Sequence, residues 1–219
     1  MFEKYKRILV AIVASSLMLL PAVASASLTP SFSQTINAGS ITADIYQSND
    51  TTPVAAPTVA FSPVNYSFSC QTSTGTLGDS NDKLNVTNLA SGVSNWNIAI
   101  AATAGPTATW SSGSSTYSYN NAAGSPAGCT SGELTVNPSV ATKTDDCNSS
   151  CTANDSTVSL GASTVLNNAT STNSATLMSD TAGTPWEGYI TGISLSQQIP
   201  ALQASGAYTL PMTITLTHA

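Results

Sequence analysis

Four cysteines, five loop aspartates and two glutamates are the residues of this 219-residue chain whose types and spacing suit chemistry. Cys70, Cys129, Cys147 and Cys151 are even in number and allow three pairings. In an oxidising compartment disulfides are the default. The preferred arrangement joins Cys147 to Cys151, closing a short loop inside Asp145-Asp146-Cys147-Asn148-Ser149-Ser150-Cys151, and Cys70 to Cys129, tying a strand end to a long loop. Zinc binding by cysteine wants Cys-x2-Cys pairs or neighbouring histidines, and the sequence has neither. Asp79 and Asp82, then Asp145, Asp146 and Asp155, cluster in loops rich in Asn. Such loops supply the oxygen ligands calcium takes, which makes these five candidate calcium ligands and calcium the one candidate cofactor. Their spacing is not that of a helix-loop-helix calcium site, and the competing reading has each Asp hydrogen-bonding its own turn.

Glu133 and Glu187 are the only glutamates after residue 26. Two carboxylates suffice for a glycosidase. Trp186, Glu187 and Tyr189 together suit stacking on a sugar ring, which makes them a candidate surface-binding group. The competing reading buries Trp186 in the core and turns Glu187 to water. The single histidine, His218, stands next to the last residue, a poor place for an imidazole that a third group must hold. Gly113-Ser114-Ser115 lacks the flanks of a nucleophile elbow, and no Gly-rich loop with Lys is present to cradle phosphate.

The elements that would position these groups begin after a leader. Lys4, Lys6 and Arg7 precede the apolar run Ile8–Leu20 and the small-x-small site Ala24-Ser25-Ala26. This is the pattern of a secretory signal cleaved after Ala26; kept uncleaved as an anchor, the apolar run would be short for a hydrocarbon core of about 30 Å. The expected organisation is a signal peptide at 1–26 and one secreted domain at 27–219. Cleavage leaves Lys83 and Lys143 against ten acidic residues, with no arginine. Two lysines cannot replace the counterions of a nucleic acid, so that partner is excluded. No membrane span is expected in the mature chain, because no apolar stretch of about 20 residues follows position 26.

Ser, Thr and Asn make up 81 of the 219 residues, and apolar residues alternate with them at a period of two. Trp96, Ile98, Ile100 and Ala102 form one clear strand, and Tyr208, Leu210, Met212, Ile214 and Leu216 another. That alternation puts one set of side chains on a core face. Pro211 gives the terminal strand an unpaired edge nearby. Weaker strands are expected at 41–46, 58–60, 66–70, 83–87, 107–110, 116–119, 133–136, 157–160, 175–178 and 189–195. Long exposed loops are expected at 111–131 and 141–156, and a brief helical turn at 200–204. Ten to twelve short strands without a convincing helix indicate an all-β, antiparallel, immunoglobulin-like sandwich.

Gln198-Ile199-Pro200-Ala201, Gly206-Ala207-Tyr208 and the Thr-rich run to Thr217 resemble the closing strand of many bacterial cell-surface β-sandwich domains. Ser94 to Thr103 resembles the Trp-containing strand of the WxL surface-domain group, with Trp96-Asn97-Ile98 in the place of Trp-x-Leu. Ile36 to Ile45 is similar, more weakly, to the opening strand of camelysin- and TasA-like secreted proteins, some of which form fibres. The resemblance implies a WxL-like sandwich outside the cell. The expected function is non-catalytic, in adhesion, cell-wall association or surface structure, with a wall or surface polymer or other surface proteins as partners. The alternative is a filament subunit that self-assembles by β-strand addition, and a glycan-active enzyme comes third. If the leader is a cleaved signal, protein recovered from the medium begins at Ser27; an intact mass that retains residues 1–26 would refute this.

Overall fold

A computed structural model of the chain describes residues 34, 40–49, 51–89, 95–121, 129, 132–146, 157–183 and 185–218. The expected cleavage residues Ala24 and Ala26, the Cys147–Cys151 pair and Asp155 lie outside the described residues. All those described except Gln34 belong to one compact unit, Asn37–Ala219.

Alternation of apolar and hydroxylated side chains is satisfied by strands buried on one face, and the described residues form fourteen. They are β1 (Ile41–Tyr46), β2 (Gln71–Leu77), β3 (Lys83–Asn88), β4 (Trp96–Ala102), β5 (Thr109–Ser112), β6 (Ser115–Ser118) and β7 (Leu134–Asn137). The chain continues through β8 (Thr142–Asp145), β9 (Val158–Leu160), β10 (Thr164–Val165), β11 (Ser174–Asp180), β12 (Trp186–Thr191), β13 (Ile193–Ile199) and β14 (Met212–His218). All pairings are antiparallel, in sheets ordered β1-β3-β12-β8, β10-β7-β13-β2 and β14-β4-β11-β9, with a separate β5-β6 hairpin. Among the described residues no helix is long and apolar enough to cross a membrane.

The first two sheets are halves of one long sheet. β12 runs into β13 through Gly192 alone, while Ile190 pairs with Leu84 of β3 and Ile193 with Leu77 of β2. On the other side, Thr191 pairs with Thr142 of β8 and Ser194 with Asn137 of β7. At the seam Gly192 N–H donates to Gly78 O at 2.7 Å, and both glycines take a φ of 81°. That left-handed conformation is strained for a residue with a Cβ, and at Gly78 a Cβ would also press on Ile190 O at 3.1 Å.

The third sheet faces this one across a shared apolar core. Trp96, Ile98, Ile100 and Ala102 of β4 are buried, as their spacing predicts, and meet Leu84, Val86, Trp186, Ile190 and Ile193 from the long sheet. Trp96 stacks on Trp186, with centroids 6.2 Å apart and planes at 25°. The Trp186 indole lies over Gly188, whose missing side chain leaves room for it. Its Nε1–H donates to Asp145 Oδ1 at 2.7 Å. Lys143 Nζ lies 5.9 Å from the centre of the same ring and donates to Val158 O at 2.9 Å.

Several sequence expectations are corrected. Fourteen strands replace ten to twelve, because β2, β8 and β10 lie outside the expected strands and the strand expected at 189–195 is divided at Gly192 into β12 and β13. The arrangement is a sandwich without the immunoglobulin-like set of seven to nine continuous strands. Residues 58–60 and 66–70 are not strands, and the strand in that region is β2. The loop expected at 111–131 begins with the β5-β6 hairpin, and that at 141–156 contains β8. Residues 200–204 make a non-helical turn, with Leu202 at φ 61°. In β11 a bulge between Thr176 and Met178 sends both Leu177 and Met178 inward, against a strict period of two. Among the described residues β14 is an edge strand paired with β4 alone; Met212, Ile214 and Leu216 are half-buried and the threonines between them exposed.

The two-tryptophan contact predicts a steep stability cost. Trp186→Ala should lose about 3–5 kcal/mol, the range for truncating a large buried aromatic, whereas Asp145→Ala should lose about 1–3 kcal/mol by orphaning the indole N–H. Urea unfolding checks both, and equal costs would argue against the stack as the main contact.

Candidate functional site

The described acids do not converge. Asp79 caps its own turn, its Oδ1 accepting from Asn81 N at 2.6 Å and Asp82 N at 3.0 Å. Asp145 holds the Trp186 indole, and Asp146 N–H donates to Glu187 O at 3.0 Å. Among the described residues no three of His, Cys, Asp and Glu come together as a metal would need. Glu187 lies on β12, whereas Glu133 O accepts from Gln198 N, eleven residues further along the β12–β13 strand. That is on the order of 35 Å of extended chain, so these two acids are not the side-by-side pair of a glycosidase.

Trp186 is fully buried, which corrects its candidacy for surface binding and bears out the core reading. Glu187 and Tyr189 point to the other face of β12, where Lys83 Nζ sits 4.3 Å from the Tyr189 ring centre. The trio is therefore divided between core and surface.

A different set of aromatics does converge. In the β5-β6 hairpin Trp110 is the register partner of Tyr117, and the rings stack at 6.2 Å with planes 13° apart. Phe61 meets Trp110 edge-on at 5.3 Å, and Tyr208 meets Tyr117 at 5.3 Å. Each is brought in by a specific backbone contact. Ser62 N–H donates to Thr74 O at 2.7 Å, with Gly75 leaving room for Phe61. Ser111 and Thr209 exchange both backbone bonds at 3.0 Å, which lays the Tyr208 segment along the hairpin.

These rings line a cleft of about 410 Å³, within the range of about 300–1,000 Å³ usual for small-ligand sites. Its other walls supply amides and hydroxyls, including Gln71, Ser73, Gln203 and Ser205, and among the described residues none that lines it is charged. The rings are held by hydrogen bonds, buried at Trp110 and part-buried to exposed at Tyr208. Trp110 Nε1–H donates to Gln197 Oε1 at 2.8 Å. Tyr208 O–H donates to Ala204 O and accepts from Gln203 Nε2, each at 2.7 Å. Burial pushes the Tyr117 phenol well above its ordinary 10.0, and neighbouring Tyr208 raises it further.

The Cys70–Cys129 disulfide, one of the two preferred pairings, is present with its Cα atoms 5.6 Å apart. It pins the end of the cleft, where Ala201 N–H donates to Cys129 O and Leu202 N–H to Ser67 O. The rim there carries Val64, Tyr66, Phe68 and Leu202, all exposed, with Phe68 at 82% and its ring edge-on to Tyr66. Sequence reasoning missed this site because its rings come from three separate segments, Phe61, the Trp110–Tyr117 hairpin and Tyr208. The one available signal was an aromatic pair, Trp110 and Tyr117, flanking the Gly113 turn.

A second concavity of about 390 Å³ opens between β14 and the long sheet. It is mostly apolar, lined by Ile45, Leu77, Ile100, Val136, Met212 and Ile214 among others. The fold and these two concavities define the protein as an all-β, disulfide-containing sandwich with a neutral aromatic cleft. Comparison with protein-family models, with curated proteins and with solved structures finds no match.

Two outcomes follow from the cleft geometry. Gln197→Ala should cost about 1–3 kcal/mol, because it leaves the buried Trp110 N–H without a partner; an unchanged urea midpoint would count against that bond. A folded-state phenol pKa raised above 10.0 contributes stability that is complete below the unfolded value and lost as pH rises past it. Tyr117→Phe should therefore lose stability less steeply than the parent above pH 10, as read from urea midpoints taken on both sides of that value.

Proposed function

We propose that this chain is a non-catalytic, secreted or surface-associated β-sandwich of the WxL-like kind, acting in adhesion, cell-wall association or surface structure. The observation that carries the reading is the neutral aromatic cleft, whose walls are preset by hydrogen bonds at Trp110 and Tyr208 and are suited to holding a ligand. Preset walls favour binding because little side-chain freedom is lost when the ligand arrives. The disulfide fits an oxidising location. Purified protein should sediment with isolated cell walls or with whole cells, and recovery entirely in the supernatant in both assays would sink the reading.

A second reading, a filament subunit assembled by strand addition, is favoured by the free edge of β14 beside the apolar slot. An edge strand offers unpaired N–H and C=O groups to another chain, and half-buried Met212 and Ile214 border the space alternate side chains would fill. Electron microscopy of concentrated protein should then show fibres that Ile214→Asp abolishes. Monodisperse particles under all conditions would exclude it.

A further inference from the structure

The surface-binding reading leaves open which polymer the protein takes, and the cleft narrows that choice. Its walls combine aromatic rings, from Phe61, Trp110, Tyr117 and Tyr208, with side-chain amides from Gln71 and Gln203. Aromatic faces are electron-rich and attract the weakly positive C–H groups of a flat apolar surface. Amides and hydroxyls exchange hydrogen bonds with hydroxyl groups in either direction. A ligand that matches both has C–H faces bordered by hydroxyls, which is the chemistry of a pyranose ring.

Charge selects among glycans. Among the described residues none that lines the cleft is charged, and the whole chain carries a formal net charge of −6. A phosphate- or uronate-bearing polymer would meet no cation in the site and a repulsive field around it. A cationic polymer would find no carboxylate within the cleft to pair with.

We propose that the cleft is a binding site for a neutral polysaccharide, whose sugar rings rest against Tyr117 and Tyr208 while its hydroxyls bond the amides of Gln71 and Gln203. The chain leaves past Tyr66, which lines the cleft and is 57% exposed. Tyr208 presents a fixed ring because its hydroxyl is bonded at both ends of its range, to Ala204 O and Gln203 Nε2. This rests on the surface-binding reading and specifies its ligand class.

The test is affinity electrophoresis of the full secreted chain in native gels containing a soluble β-glucan, a mannan or a xylan, with alginate as the anionic comparison. At least one neutral polysaccharide should retard the protein and alginate should not. Titration with oligosaccharides of the retarding polymer should change tryptophan fluorescence through Trp110, since Trp96 and Trp186 are 2% and 0% exposed. Tyr208→Ala should weaken binding roughly tenfold or more, a loss of about 1.4 kcal/mol, whereas Tyr208→Phe keeps the ring and should retain most of it. Should the alanine variant misfold, Tyr66→Ala, at an exposed position, should weaken binding in its place.

Failure of all three neutral polymers to retard the protein overturns the proposal, as does equal or stronger retardation by alginate. Binding indifferent to both Tyr208→Ala and Tyr66→Ala does the same. If the protein sediments with cell walls yet ignores every neutral glycan, the ligand assignment falls and the surface reading stands; if it binds neither, both fall.

Discussion

Two tryptophans from different layers, Trp96 of β4 and Trp186 of β12, meet face to face at the centre of the sandwich, and the surrounding residues are arranged around that meeting. Trp186 fits only because the next inward position on its strand is Gly188, which leaves its space to the indole. The indole nitrogen is satisfied by Asp145 from the neighbouring strand β8, and the Lys143 ammonium lies over the ring. A single stack thus couples two strands of the long sheet's end, β12 and β8, to the opposing sheet. Losing it would remove buried aromatic area and orphan polar groups together, two costs that add in the same direction.

The long sheet owes its interruption to the same economy of side chains. Gly78 and Gly192 share one backbone bond in a conformation that suits glycine, and the strands on either side of them form separate sheets. Beyond that seam, β2 and β13 provide the floor on which Phe61 and Trp110 come together, with Gln197 of β13 reaching Trp110. The cleft therefore depends on the part of the sandwich away from the tryptophan stack. Variation in its lining can reshape the cleft without touching the main inter-layer contact.

How far the sequence was legible depends on how each strand achieves burial. β4 alternates large apolar and small side chains and was read to the residue, and β1 had the same bounds in sequence and structure. β2 was not read as a strand because Gln71 to Leu77 holds one large apolar residue and a glycine; it is buried by Val59 and Phe61 lying over Gly75, a contact no local pattern contains. β8 was hidden likewise, since Thr142 to Asp145 carries no apolar side chain and owes its place to pairing with β12. Tyr66 and Phe68 alternate as a strand would, yet both project from the surface. The cleft was illegible for a related reason. Its rings are far apart in sequence and are assembled by hairpin register and by backbone bonds to β2 and β5, so spacing alone could not associate Trp110 with Tyr208. The Trp186 group left two readings open because an aromatic beside an acid looks the same whether it faces solvent or the core.

The placement of Lys83 and Lys143 bears on how long the folded chain would last among proteases. Enzymes that cut after basic residues find no arginine beyond Arg7 and only Lys83 and Lys143 as targets. Both lie within strands, Lys83 at the start of β3 paired with β1, and Lys143 in β8 paired with β12. A protease must draw several residues of extended chain into its own groove, which strand pairing denies until the sheet opens. Digestion by that class of enzyme is then limited by unfolding of the sandwich, so the packing that shapes the cleft also governs how long the chain survives it.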